Sequence, residues 1–120
     1  MTKETFGLIG VGAFGTLAAK HLAPHFDVVL HDVTDVSALA QKVGARVGSL
    51  ADAAGCAIVM LAVPVQKLRD VLVSIAPFVK PNALVIDVAS VKIKPVAAMA
   101  EILPPHVAIV GTHPLFGPQS

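Results

Sequence analysis

The chain has 120 residues, 55% hydrophobic and 14% charged, which excludes a disordered tail or a coiled coil and gives a single domain, residues 1–120, a sizeable core. Nine basic residues face eight acidic ones with no basic block, and with no Trp, no Tyr and five scattered Phe nothing marks a nucleic-acid surface. The longest uncharged apolar run, Ala53 to Val65, is too short to cross a bilayer and is broken by Gly55 and Pro64, so no membrane partner is expected.

Short apolar runs then alternate with stretches of helical period, without repeats. Behind the charged Lys3 and Glu4, an opening unlike a secretion signal, Thr5 to Gly10 reads as a first strand. Phe14, Leu17, Ala18 and Leu22 follow as an amphipathic helical stripe, and Pro24 ends that helix. Phe26 to His31 is a second strand, with Asp32 directly after it. Leu39, Ala40 and Val43 mark a short helix, Gly44 stands where a left-handed C-cap is common, and Ala45 to Val47 is a weak third strand. Cys56 to Val63 is a stronger strand, apolar on both faces as in a sheet covered by helices on both sides. Cys56, the one cysteine, is read there as a buried inert thiol, consistent with a reducing cytoplasmic setting.

Leu68, Val71, Leu72 and Ile75 form a clean helical stripe closed by Pro77, and Ala83 to Val88 is the next strand. Val96, Met99, Ala100 and Leu103 mark a further helix, with Pro95 in its first turn and Pro104-Pro105 at its end. Val107 to Gly111 is the last strand. Strands that alternate with helices need crossover connections, so the expected architecture is α/β, a doubly wound, mainly parallel sheet with helices on both faces.

Gly10-Val11-Gly12-Ala13-Phe14-Gly15 matches G-x-G-x-x-G, a weak pattern alone. Here it closes a strand, opens a helix and is followed by an acid 22 positions after Gly10, at Asp32. The combination is the fingerprint of a Rossmann-type dinucleotide site. Gly10 makes the tight turn, Gly12 admits the pyrophosphate to bare backbone, Gly15 lets helix and strand pack closely, and the helix opening at Ala13 and Phe14 offers N–H groups to phosphate. Asp32 would accept hydrogen bonds from the adenosine ribose and repel an added 2′-phosphate. No Arg follows it in Val33-Thr34-Asp35-Val36, so NAD is expected over NADP.

Ligands in such sheets collect at the carboxyl ends of the strands. The fourth strand runs into Leu61-Ala62-Val63-Pro64, whose apolar atoms and stiff turn would line the cofactor. The fifth runs into Asp87-Val88-Ala89-Ser90-Val91-Lys92, and the sixth into Gly111-Thr112-His113-Pro114-Leu115-Phe116-Gly117-Pro118. DVASVK at 87–92 and GTHPLFGPQS at 111–120, behind GVGAFG and LAVP, resemble the prephenate and arogenate dehydrogenases, enzymes of tyrosine biosynthesis in the shikimate pathway. The resemblance spans essentially the whole chain. Its HPLFGPQS form is most similar to the plant-like arogenate branch, whose NADP-using members lack an acid after the second strand, whereas this chain has Asp32; both substrates therefore stay open.

The resemblance implies that His113 is the catalytic histidine and that Ser90 lies beside it and the nicotinamide. It implies NAD-dependent oxidative decarboxylation: hydride leaves the carbinol carbon, a neutral imidazole with an ordinary pKa of about 6.5 takes the hydroxyl proton, and CO₂ departs as the ring becomes aromatic. No metal is required. It also implies that the parent enzyme continues into a helical domain that forms a homodimer and clamps the substrate carboxylates, so that residues 1–120 alone would bind cofactor with little turnover. A stand-alone nucleotide-binding regulatory module and a different Rossmann dehydrogenase, of the β-hydroxyacid or imine-reductase type, are the alternatives. His21, His25, His31 and His106 are read as surface residues, Asp87 as structural, and Lys92 as either a solvated lysine or an attractant for a dicarboxylate.

Overall fold

In the computed structural model, which describes residues 3–88, 99–104 and 107–111, period-two alternation along the strands sorts the core into two layers. Strand β1 (Thr5–Ile9) sends Phe6 and Leu8 to one face and Ile9 to the other, and all three are buried. Strand β2 (Asp27–His31) divides the same way, Val28 and Leu30 against Val29. Strands buried on both faces need helices on both faces. Helices α1 (Ala13–Leu22) and α2 (Ser37–Val43) cover the Phe6/Leu8 side, while α3 (Leu50–Ala54) and α4 (Val65–Ile75) cover the Ile9 side. Each fully buried Leu, Ile or Val in these layers contributes about 1.5–3 kcal/mol relative to exposure.

With β3 (Arg46–Val47), β4 (Ile58–Leu61), β5 (Leu84–Asp87) and β6 (Ala108–Gly111), the strands form one sheet in the order β3-β2-β1-β4-β5-β6. Every pairing is parallel, from Thr5 opposite Asp27 and Ile9 opposite Leu61 to Asp87 opposite Gly111. The expected doubly wound sheet is therefore the observed one. Its order reverses between β1 and β4, the arrangement that opens a crevice at the carboxyl ends of those strands.

Local signals explain most element ends. Gly44 caps α2 in the left-handed region, at φ 84°. Beyond α4 the chain tightens into a 3₁₀ turn at Ala76–Phe78 around Pro77, whose missing N–H cannot continue an α-helix. Edge strand β3 is only two residues long, and its Arg46 reaches Asp27 on β2 with two hydrogen bonds of 3.0 and 3.1 Å. Residues 99–102 are helical, with Met99 and Leu103 buried in the α4 layer; the earlier part of that expected helix, including Val96, lies outside the described residues. Among the described residues no helix is long and apolar enough to cross a membrane.

Three differences from the sequence reading have physical causes. Strand β4 begins at Ile58, not Cys56, because the preceding chain is taken up by α3, absent from that reading. Ser49 accepts a hydrogen bond from the Asp52 N–H, and the Asp52 carboxylate accepts one from the Ser49 N–H, each 3.0 Å; the reciprocal pair nucleates a helix too short to show a stripe. Cys56 is buried in the turn between α3 and β4, its thiol donating to the Asp52 carbonyl at 3.4 Å, and burial pushes its pKa up, away from a reactive thiolate. In α1 the deepest residues are small: Gly15, Ala18 and Ala19 are buried, while Phe14, Leu17 and Leu22 sit half-buried at the flanks, so the helix axis lies close to the sheet.

Candidate functional site

A cleft of about 610 Å³ occupies the crevice at the order reversal, a size within the usual range of about 300–1,000 Å³ for ligand sites. Its floor is the β1–α1 turn. Gly10 adopts φ +88°, donates its N–H to the His31 carbonyl at 2.9 Å, and lies so near β4 that a Cβ there would meet the Ala62 carbonyl oxygen at 2.6 Å. Only glycine suits both constraints. Gly12, the N-cap of α1, is the reverse case: no described residue stands within 4 Å of where its Cβ would be, and its bare backbone lines the cleft. Ala13 opens the helix and is exposed, Phe14 is half-buried on the cleft wall, and Gly15 is buried with its Cβ position 2.7 Å from the Gly10 carbonyl oxygen.

Among the described residues no side chain caps α1 and no acid stands in its first turn, so none of them neutralises the positive end of its dipole. An anion is the natural complement of such a terminus. Across the cleft from it, Ala62 and Val63 are half-buried and Pro64 exposed, all three lining the wall between β4 and α4. Asp32 is half-buried at the end of β2 and lines the same cleft, its carboxylate accepting a 2.6 Å hydrogen bond from the Thr34 hydroxyl. Gly10, Gly12, Phe14, Asp32, Ala62, Val63 and Pro64 thus meet around one cavity; Ala13 and Gly15 frame its helix; Ser90 lies outside the described residues, as does His113.

Other lining residues were not read as part of the site in the sequence. Lys67 and Val71, one turn apart on α4, complete the wall, and Val33 stands 95% exposed beside Asp32. His31 is the residue that corrects an expectation. Rather than a surface histidine it is half-buried and lines the cleft, its Nδ1 donating to the Gly48 carbonyl at 3.2 Å, because the turn after β3 folds over the end of β2. His21 and His25 are exposed as expected, and His106 lies outside the described residues. Asp87 is fully buried at the carboxyl end of β5, a position that fits the structural role read for it.

The glycine turn, the helix terminus and the acid after β2 fit the diphosphate and ribose of a dinucleotide. The model of the nucleotide-binding domain of prephenate dehydrogenase matches residues 16–120. The chain belongs to the prephenate dehydrogenase family. Relatives in that family include arogenate dehydrogenase 2 of Arabidopsis thaliana, 34% identical over 120 residues covering 94% of this chain and 33% of that protein. Cyclohexadienyl dehydrogenase of Zymomonas mobilis is 33% identical over 121 residues, covering 94% of this chain and 41% of its own length. Among solved structures, Aquifex aeolicus prephenate dehydrogenase in complex with hydroxyphenyl propionate and NAD⁺ superposes with a TM-score of 0.80 at 25% identity, covering 96% of this chain and 43% of that one. The chain therefore spans about a third to two fifths of the length of these family members.

Proposed function

We propose that this chain is the cofactor-binding part of an NAD-dependent dehydrogenase that oxidatively decarboxylates prephenate or arogenate. The observation that carries the reading is the cleft itself. Gly12 leaves bare backbone at a helix terminus that no described side chain caps, and Asp32 stands on the same cavity as the only carboxylate among its described lining residues. The backbone at Gly10–Gly15 would hold the pyrophosphate, and Asp32 the adenosine ribose hydroxyls. Its negative charge opposes a 2′-phosphate, which favours NAD over NADP.

A bound nicotinamide supplies the hydride acceptor; the chain's own residues supply the rest. Strand β5 ends at Asp87 and β6 at Gly111, partners in register, Val88 directly after β5 lines the cleft, and Ser90 and His113 follow these strand ends by three and two residues. His113 is the base that takes the hydroxyl proton as hydride leaves the same carbon. The ring carboxylate then departs as CO₂, its bonding electrons aromatise the ring, and the resulting phenolate recovers a proton. Ser90 orients the imidazole without filling substrate space. Clamping of the substrate carboxylates belongs to a helical, dimer-forming domain beyond these residues.

Competition between the cofactors tests the reading. NADH should bind more tightly than NADPH, followed by nucleotide fluorescence or calorimetry in a protein free of Trp and Tyr. Asp32→Ala should narrow the gap by relieving repulsion of the 2′-phosphate while removing the ribose acceptor. Tighter binding of NADPH by the unaltered chain overturns the assignment of NAD.

A further inference from the structure

The loop after β2 carries two carboxylates and two hydroxyls in six residues, Asp32-Val33-Thr34-Asp35-Val36-Ser37, and the structure pairs them in a definite way. The Thr34 hydroxyl donates to Oδ2 of Asp32 at 2.6 Å. Oδ1 of Asp35 accepts from both the backbone N–H and the hydroxyl of Ser37, at 2.9 and 2.6 Å, which ties that carboxylate to the start of α2. Asp35 is thereby spent on the helix entry and does not line the cleft, whereas Asp32 does.

We infer that Thr34 is a positioning residue for cofactor choice: its hydroxyl holds the Asp32 carboxylate in the orientation that meets a ribose diol. The inference rests on the reading of Asp32 as the ribose acid and adds the group that aims it. The physical reason is entropy and geometry. A half-buried aspartate at a strand end has a broad terminal torsion, because rotation about an sp³–sp² bond has only shallow wells. Two vicinal hydroxyls are recognised by one carboxylate only in a narrow range of that torsion. A donor fixed two residues along restricts it before the ligand arrives, so the ordering cost is not met at binding. Oδ2 keeps a second lone pair and Oδ1 both of its own, so the hydroxyl of Thr34 orients the group without using up its capacity.

Because that hydroxyl is committed to Asp32, it is not offered to a 2′-phosphate, and the effect of removing it is asymmetric between the two cofactors. A group acting on NADPH rejection through charge alone would be indifferent to the carboxylate's torsion; a group that aims it would not.

The experiment is a double-mutant cycle read in dissociation constants for NADH and NADPH on the full chain. Thr34→Val, close in shape but without the donor, should weaken NADH by about 3- to 10-fold, the worth of one net hydrogen bond, and change NADPH by less than about twofold. Thr34→Ser should restore NADH binding. In the Asp32→Ala background, Thr34→Val should have no further effect on NADH, since there is no carboxylate left to aim. The inference is overturned if Thr34→Val leaves NADH affinity intact, weakens both cofactors equally, or costs as much without Asp32 as with it. It is equally overturned if Thr34→Ser fails to restore binding. Failure of the underlying assignment is seen separately, on the unaltered chain: no preference for NADH over NADPH there removes Asp32 as the ribose acid, and the aiming role with it.

Discussion

The Cβ position of Gly15 lies 2.7 Å from the carbonyl oxygen of Gly10, closer than real Cβ atoms approach an oxygen. Backbone, not a flexible side chain, occupies that space, so a methyl group there must push α1 away from β1 or distort the turn. Gly15→Ala should therefore destabilise the fold by about 1–3 kcal/mol, the usual range for overpacking a tight contact. NADH affinity should fall with it, because the displaced element is the one whose terminus faces the cleft. Thermal melts and NADH titration on the same variant check both effects, and an unchanged melting temperature counts against the contact.

Gly12 makes the opposite prediction from the same loop. Its Cβ would meet no described residue within 4 Å, so a larger side chain has room beside them and none once a diphosphate approaches. Gly12→Val should still fold, at a cost of about 1 kcal/mol, since Gly is preferred over Val at an N-cap. NADH binding should be abolished. Normal binding by a folded Gly12→Val variant places the dinucleotide elsewhere.

The capping box of α3 is the third testable element. Ser49→Ala removes the acceptor of the Asp52 N–H and should cost about 1 kcal/mol, or roughly 4 °C in melting temperature for a domain of this size. Hydrogen bonds from Ser49 hold the Asp52 carboxyl below its usual range, as those from Ser37 do for Asp35 and the Arg46 guanidinium does for Asp27. Each depressed pKa contributes stability that is present above the unfolded-chain value of about 3.9 and lost as pH falls through the lower folded-state value. The melting temperature should accordingly be insensitive to these groups at neutral pH and drop below about pH 4. Asp52→Asn should flatten part of that acid limb.

These residues also show why some of the molecule was readable in advance and some was not. Periodicity carried β1, β2, α1, α2 and α4, because their apolar positions recur at one fixed spacing, and the glycine loop announced itself by sitting between a strand and a helix. Asp32 was legible by its distance from that loop. Helix α3 was not, since five residues, Leu50–Ala54, are too few for a stripe, although Ser49 and Asp52 at i and i+3 were a capping signal of the right kind. His31 was rightly placed at the end of β2 but read as surface, because the turn that covers it comes from Gly48, 17 residues along, and no local pattern encodes that approach. Val71 was readable as part of the apolar stripe of α4, but that it and Lys67 look into the cleft depends on how α4 lies across the sheet, which no local pattern encodes.

The last prediction concerns His113 in a complete enzyme that includes the substrate domain. If it is the base, His113→Ala or His113→Asn should lower kcat by about 10²–10⁴, the range for loss of a positioned general base. NADH affinity should barely change, because the proposed contacts to the dinucleotide come from Gly10–Gly15, Asp32 and Ala62–Pro64. Activity of the unaltered enzyme should fall as pH drops through the imidazole's titration, since the protonated ring cannot accept the hydroxyl proton. That limb should be missing from the residual activity of the His113→Asn enzyme. Ser90→Ala should do less damage, because it removes orientation and leaves the base in place. A purely structural His113, holding the loop after β6, predicts the reverse: a lower melting temperature and weaker NADH binding, with kcat per folded molecule nearly intact. Measuring kcat, NADH affinity and melting temperature on one His113 variant separates the two roles, and a stability loss without a loss of kcat removes His113 from the chemistry.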